Sequence, residues 1–526
     1  MKFTPRPSPS SPRSNGRLPG GVTGALVLSV AGLLLVAGCT ADAPGKEQAP
    51  AGEATSSAGG GAPDGYEEFY GQDVVWRECR TDFECATVAA PLSWSDPDAG
   101  EIELELMRTR ASGDRIGSLL VNPGGPGGSG VDYLEAASGS LGERVREAYD
   151  VVGFDPRGVR ESSEVVCYDD AEKDEYLSED FDLSTDEGIV GARESSAAWA
   201  QACAENTGEL LGNVDTQSAA RDMDMLRAAL GDEELHYLGF SYGTSLGATY
   251  AGLFPERAGR LVLDGAIDPR IGSAEMSAGQ AVGFENALRA YVGDCQAGPD
   301  CPLTGTVDDG MEQVRSVLDQ ALERPYPTDG DRVVTQTLAF YGVAVTLYDE
   351  QSWPLLTQAL DEAIGSGTGS MLLYLADFYN DRNADGSFAT NSTEAFTAIN
   401  CLDGRSSDDV ETMREQAAEI EEAAPTMGSF FGYDGLTCAD WPHPVVEQEY
   451  DVAAPGAAPI VVVGTTNDPA TPYVWSEGMA EALDSGVLVT YEGEGHTAYG
   501  RSNDCIMDAV DSYLVDGTVP EDGLTC

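Results

Sequence analysis

The stretch Leu235-His236-Tyr237-Leu238-Gly239-Phe240-Ser241-Tyr242-Gly243-Thr244-Ser245-Leu246-Gly247 decides the reading of this chain. Leu235 to Leu238 is a short apolar run suited to a buried strand. Small residues with apolar positions at helical spacing follow Gly243. Between them, Gly239-Phe240-Ser241-Tyr242-Gly243 has the pattern G-x-S-x-G, which in a strand–turn–helix context describes a nucleophile elbow. Ser241 must then sit in a strained turn, and a side chain at 239 or 243 would collide with the adjoining strand or helix. The turn lifts the hydroxyl clear of the backbone and aims the helix N-terminus at the reaction site. The pentapeptide alone is a weak signal, because a Ser/Gly-rich turn without chemistry would look the same. The flanking strand and helix patterns favour the nucleophile.

Working outward, further buried strands are expected at Gly117–Val121, Tyr149–Phe154, Arg260–Asp264, Ile460–Val463 and Gly486–Tyr491. An amphipathic helix over Ser218–Leu230 places Ala219, Met223, Leu226 and Leu230 on one face. Strands alternating with helices imply a mostly parallel sheet with helices on both faces. Ahead of these, Val74–Trp76, Ala86–Val88 and Ile102–Leu106 read as antiparallel strands, the last alternating strictly. From about 271 to 455 helical patterns dominate, at Gly283–Cys295, Gly310–Leu322, Trp353–Ile364 and Val410–Ala423. The expected organisation is a core in two parts, 67–270 and 456–526, with a mainly helical cap inserted at 271–455.

A seryl hydroxyl needs a base near neutral pH, and imidazole is the usual one. The chain has only three histidines. His236 precedes the elbow within its strand and should point into the sheet. His443 lies in the proline-bound stretch Trp441-Pro442-His443-Pro444. His496 follows the last long strand, where α/β sheets put their chemistry, and is the expected base. Asp468, after the preceding strand, is the expected orienting acid; Glu494 is the other candidate, more readily explained as a solvated loop charge. The order Ser241, Asp468, His496 is that of the α/β-hydrolase fold. The loop Asn122-Pro123-Gly124-Gly125-Pro126-Gly127-Gly128 follows a buried strand and can bring backbone N–H groups close to a ligand. The oxyanion donors are expected to be the N–H groups of Gly125 and Tyr242. Asp155 and Arg157 are expected to brace the loops around the elbow. No cofactor is implied, and a metal site is disfavoured because no C-x-x-C occurs.

The chain has 526 residues, with 29 Lys and Arg against 90 Asp and Glu, a net charge of −61. Such an acidic balance argues against nucleic acid and anionic membrane surfaces as partners. Residues 1–20 hold Lys2, Arg6, Arg13 and Arg17 and no acid, and Val22–Ala37 is apolar. This is an export signal. Val36-Ala37-Gly38-Cys39 resembles a bacterial lipobox, which implies cleavage before Cys39 and a lipid on its thiol. A lipid on Cys39 would be the only membrane link, on an exported protein that is either surface-anchored or secreted. Residues 39–66 read as a disordered tether. Of eleven cysteines, ten remain once Cys39 is set aside. Pairing neighbours in order gives Cys79–Cys85, Cys167–Cys203, Cys295–Cys301, Cys401–Cys438 and Cys505–Cys526, although sequence does not fix connectivity.

Several stretches together carry a family resemblance: Asn122–Gly127, Gly153–Gly158, Gly239–Thr244, Leu261–Gly265, Ala398-Ile399-Asn400-Cys401-Leu402-Asp403 and Asp468–Pro472. From about Trp76 to Cys526 the chain resembles the secreted tripeptidyl aminopeptidases of actinobacteria. These are α/β-hydrolase serine exopeptidases related to prolyl aminopeptidases, with a TAP-like C-terminal region. The prolyl enzymes have His-Gly-Gly-Pro-Gly where this chain has Pro123-Gly124-Gly125-Pro126-Gly127, a departure that weakens any expectation of strict proline preference. The resemblance implies release of short peptides, often tripeptides, from free N-termini. Such a substrate brings an ammonium group, for which Asp403 and Glu285 are the candidate acceptors. Two rivals share the same residues: an esterase or lipase using the triad on esters, and a non-catalytic peptide-binding surface lipoprotein.

Overall fold

The computed structural model describes residues 61–526; the export signal, Cys39 and the expected tether as far as residue 60 lie outside the described residues. The strands are β1 (Arg77–Arg80), β2 (Phe83–Pro91), β3 (Glu101–Thr109), β4 (Gly117–Asn122), β5 (Tyr149–Phe154), β6 (Leu235–Phe240), β7 (Ala258–Asp264), β8 (Tyr326–Pro327), β9 (Val333–Val334), β10 (Ile460–Asn467), β11 (Gly486–Glu494) and β12 (Leu524–Thr525). All but β8 and β9 form one ten-stranded sheet in the order β1-β2-β3-β5-β4-β6-β7-β10-β11-β12. β1, β2, β3 and β5 pair antiparallel. From β5 to β12 every pairing is parallel.

Side chains alternate across a strand, and this alternation sorts the core. Leu120, Val152, Leu261, Leu263, Ile460 and Val462 pack on one face of the sheet. Leu119, Val121, Val151, Val262, Val461 and Val463 pack on the other. Helix α1 (Gly130–Ala137) supplies Val131 and Leu134 to the second face. Helix α2 (Asp186–Thr207) carries Cys203 to the first. Helices α3 (Thr216–Ala229) and α4 (Tyr242–Leu253) also cover the first, through Met223, Leu226, Leu246 and Tyr250.

Between β7 and β10 run α5 (Ser273–Ala297), α6 (Val307–Glu323), α7 (Gln336–Leu347), α8 (Trp353–Asp361), α9 (Ser370–Tyr379), α10 (Ser392–Asp403) and α11 (Val410–Ala423). Much of this segment has its own core, built on Leu288, Tyr291, Val314, Leu318, Val343, Leu356 and Leu372. Helix α10 differs. Its Ala395, Ala398, Ile399, Cys401 and Leu402 join the sheet core beside Tyr242 and Leu246. Helix α12 (Tyr473–Ala482) follows β10, and α13 (Asp504–Asp516) closes the second face with Val510 and Leu514.

The five disulfides are those obtained by pairing neighbours in order. Helix α11 has the bounds read from sequence, whereas α5 begins ten residues before the expected Gly283. Residues Val74–Trp76 are not a strand. Pairing begins at Arg77, and Trp76 instead packs under the Arg108 guanidinium, 4.1 Å from the ring centre. Trp76 gains a cation–π contact in place of a ladder, Val74 packs against the core, and Val75 is left 59% exposed.

Candidate active site

Ser241 joins β6 to α4 with φ 55° and ψ −125°, backbone angles that a non-glycine residue adopts only where its surroundings impose them. The imposing contacts are visible. Ser241 N donates to Asp264 O at 2.9 Å, and Thr244 N and Oγ1 both donate to Ser241 O, at 2.8 and 2.6 Å. A Cβ at Gly239 would fall 2.4 Å from Gly243 O, and one at Gly243 would fall 2.8 Å from Asn122 Oδ1. Strand and helix therefore cross too closely for any side chain at either position. Ser241 itself is half-buried. Its Oγ makes no hydrogen bond among the described residues.

The loop after β4 lies directly over this turn. Gly124 has φ 96°, and a Cβ there would meet Phe240 O at 2.5 Å, Ser241 Cβ at 2.8 Å and Tyr242 N at 3.0 Å. Asn122 Oδ1 accepts from Gly124 N at 2.9 Å, and Gly128 N donates to Gly124 O at 3.0 Å, which fixes the loop. Tyr242 is the first residue of α4, so its N–H has no intrahelical acceptor.

Asp468 and His496 stand on the loops after β10 and β11. Imidazole Nδ1 lies 2.8 Å from Asp468 Oδ1 and 2.9 Å from Oδ2. A carboxylate can only accept, so Nδ1 carries the proton and Nε2 is left with its lone pair. Asp468 is 3% exposed and also accepts from the N–H groups of Ala470, Thr471 and Thr497, at 2.9, 2.9 and 3.1 Å. Thr471 Oγ1 lies 3.3 Å from Nδ1. Glu494, the other acid considered, accepts from Asn467 Nδ2 and makes no hydrogen bond to the imidazole among the described residues. His236 accepts from Arg260 N at 3.1 Å, and burial lowers its pKa to about 4. His443 packs against Gly212.

Two residues at this site were not among the expected site residues. Asp264, at the end of β7, is fully buried and accepts from Ala498 N at 3.0 Å and Tyr499 N at 2.7 Å. Its backbone holds the elbow and its side chain holds the histidine loop. Burial pushes its carboxyl up to about 6 against the pull of those N–H donors. An acid closing a buried strand was the only available hint. Tyr348, after α7, accepts from His496 N at 2.8 Å and sets its ring edge-on to the imidazole, centroids 5.4 Å apart.

The two acids considered for substrate binding occupy different settings. Glu285 is buried, and its Oε2 accepts from Thr426 N and Met427 N, at 2.9 and 3.0 Å. Asp403 closes α10 and accepts from Thr216 N and Oγ1, at 2.9 and 2.5 Å; Thr216 Oγ1 in turn meets the Tyr242 hydroxyl. Asp403 is solvent-accessible, yet protein crowds it densely enough that lost hydration lifts its pKa to about 7. Asp155 holds Ser129 Oγ and Val131 N at the start of α1, at 2.6 and 3.2 Å. Arg157 is fully buried and bidentate to Asp222, at 2.7 and 2.6 Å. Both brace loops, the role expected of them.

The family described as TAP-like protein matches residues 424–526. Serine protease Hip1 of Mycobacterium tuberculosis is 38% identical over 87% of this chain and 91% of its own. Carboxylesterase B of the same organism is 36% identical over 94% and 96%. Tripeptidyl aminopeptidase of Streptomyces lividans is 29% identical over 86% of each chain. With the sheet order, the elbow and relatives matched over nearly their whole length, the chain belongs to the TAP-like family of α/β-hydrolase serine peptidases.

Proposed function

We propose that the protein is an exported serine exopeptidase that releases tripeptides from free N-termini through an acyl-enzyme on Ser241. The observation that carries this reading is the Asp468–His496 hydrogen-bonded pair, which leaves imidazole Nε2 basic on a loop neighbouring the Ser241 elbow. Rotation of the Ser241 side chain brings Oγ to Nε2 in the substrate complex, as catalytic hydrogen bonds commonly tighten on binding. His496 takes the hydroxyl proton as Oγ attacks the scissile carbonyl. The N–H groups of Gly125 and Tyr242 receive the oxyanion. His496 then protonates the leaving amine, and water enters by the reverse route. Asp468 holds the tautomer and stabilises the imidazolium without itself taking the proton.

Asp403 is the acceptor for the substrate ammonium. It is accessible, crowded and joined through Thr216 to the residue after the nucleophile. Glu285 is a poorer choice, because it is only 5% exposed, whereas Asp403 reaches solvent. The helices between β7 and β10 act as the cap. Five disulfides support export, and the lipid on Cys39 anchors the chain at the outer face of the membrane.

Hydrolysis of carboxylic esters is the second reading, favoured by the carboxylesterase relative. The test compares alanyl-alanyl-alanyl p-nitroanilide, its N-acetylated form and p-nitrophenyl acetate, with fluorophosphonate labelling of Ser241 as the control. Rapid cleavage of the free tripeptide anilide, with the acetylated form at least about tenfold slower, is expected. Ester turnover without anilide cleavage would leave the ester reading, and no labelling would leave a dead pocket.

A further inference from the structure

We infer that helix α10 is a molecular ruler that sets the length of the peptide released. The inference rests on the peptidase reading above and adds what fixes the step size. Over residues 394–403, α10 is buried at Glu394, Ala395, Thr397, Ala398, Ile399, Cys401 and Leu402. What it leaves to solvent is Phe396, half exposed at 50%, then Asn400 and Asp403. These stand at i, i+4 and i+7, a single straight stripe along one helix face. Asn400 makes no side-chain hydrogen bond among the described residues.

Both ends of the stripe meet the catalytic machinery. At the N-terminal end, a Cβ on Gly127 would fall 2.8 Å from Ser392 O, 3.0 Å from Ala395 Cβ and 3.1 Å from Phe396 N. The loop that offers the oxyanion donor is therefore in contact with the first turn of α10. At the C-terminal end, Asp403 meets Thr216 and, through it, the side chain of Tyr242. The ruler does not float with the cap. Its apolar face belongs to the sheet core, Cys401 is bonded to Cys438, and Leu402 O accepts from Val446 N at 2.8 Å.

The length fits three residues. Seven helical positions at 1.5 Å each separate Phe396 from Asp403, about 10.5 Å. Three residues of extended chain span roughly 10 Å. A peptide lying antiparallel to the stripe, its scissile carbonyl at the oxyanion loop, thus brings the ammonium of the third residue from the scissile bond to Asp403. A tyrosine side chain and two hydrogen bonds from Tyr242 to Asp403 give the same reach, on the order of 10 Å. Asn400, partly exposed and carrying both a donor and an acceptor group, stands between the two ends where it can hold the peptide backbone. A dipeptide leaves its ammonium one residue short of the carboxylate. A tetrapeptide must push its ammonium past the end of the helix.

The test uses oligoalanyl p-nitroanilides of one to five residues with free N-termini. The readout is the ratio of kcat/KM between lengths within each variant, so a general loss of activity drops out. The full-length enzyme should favour three residues over two and four by about tenfold or more, the size of a charge-assisted contact. Exchanging the two polar positions, Asn400→Asp with Asp403→Asn, moves the carboxylate about 4.5 Å toward the oxyanion loop. The optimum should shift from three residues to two. An optimum that stays at three in the exchanged enzyme overturns the ruler. If the exchanged enzyme does not fold, Asp403→Asn alone decides: the three-to-two ratio should collapse toward one, and a retained ratio overturns the proposal. Anilide cleavage with no length optimum would remove the ruler alone, whereas ester turnover without anilide cleavage would remove the peptidase reading and the ruler with it.

Discussion

Replacing Asp468 by Asn isolates the step on which the catalytic proposal depends. The two residues have the same shape, but one carboxylate oxygen becomes an NH2 group. Asp468 Oδ1 accepts from Ala470 N and Thr471 N, both at 2.9 Å, so the amide oxygen must take that place. The NH2 group then falls where Oδ2 accepts from Thr497 N at 3.1 Å and lies 2.9 Å from His496 Nδ1. Oδ1, 2.8 Å from Nδ1, already carries two N–H donors, so Nδ1 accepts from the NH2 group instead of donating. The imidazole keeps its proton on Nε2, facing Ser241, and cannot act as base. For this tautomeric fault kcat should fall by about 10⁴-fold, with KM changed little. That is about 5.5 kcal/mol of barrier. The Thr497 N–H, left facing another donor, adds about 1–3 kcal/mol of destabilisation. Steady-state hydrolysis of the tripeptide anilide, the rate of fluorophosphonate labelling and a denaturant melt measure the three effects. Glu494→Gln is the companion variant, expected within about threefold of wild type because the Glu494 side chain hydrogen-bonds only Asn467 among the described residues. A loss below tenfold in Asp468→Asn, or a comparable loss in Glu494→Gln, would show that the orienting acid is misassigned.

Ser241→Ala should abolish fluorophosphonate labelling and lower kcat by up to about 10⁶-fold while the melting temperature holds; residual labelling at another serine would end the scheme. Gly124→Ala forces a Cβ to within 2.5 Å of Phe240 O at φ 96°, so a loss of stability of about 1–3 kcal/mol and a collapse of activity are expected; a stable, active variant would show that the loop is not seated on the elbow. Loss of hydration among crowding protein atoms, with Asp215 as the neighbouring like charge, pushes the Asp403 carboxyl up to about 7. Its charged form is the one that binds ammonium. KM for free-N-terminus anilides should therefore rise as pH falls through about 7, while KM for acetylated ones stays flat; parallel profiles would remove Asp403 from substrate binding.

Much of the molecule is legible in nearest-neighbour patterns. Leu119 against Leu120 and Val461 against Val462 take opposite faces because the strand period is two, which any reader of the sequence can count. The glycines at 239 and 243 announce a close crossing, and three histidines leave little choice of base. Helix α11 is bounded by its own capping residue, Asp409, whose side chain accepts from Thr412 N. Such signals act over a few residues, so the chain alone determines them.

What the tertiary structure decided are contacts between residues far apart in the chain. Asp264 reaches Ala498 across 234 positions, and nothing near either residue records the meeting. Tyr348 arrives at His496 from the helical segment, and α10 leaves that segment's core to join the sheet. Asp403 and Glu285 were indistinguishable acids in a very acidic chain; both accept backbone N–H groups, and only packing left one exposed and buried the other. The triplet Val74–Trp76 had strand composition but met a guanidinium instead of a partner strand. A charge or an apolar face takes its meaning from what packs against it, and that is set by the closed fold rather than by the order of residues.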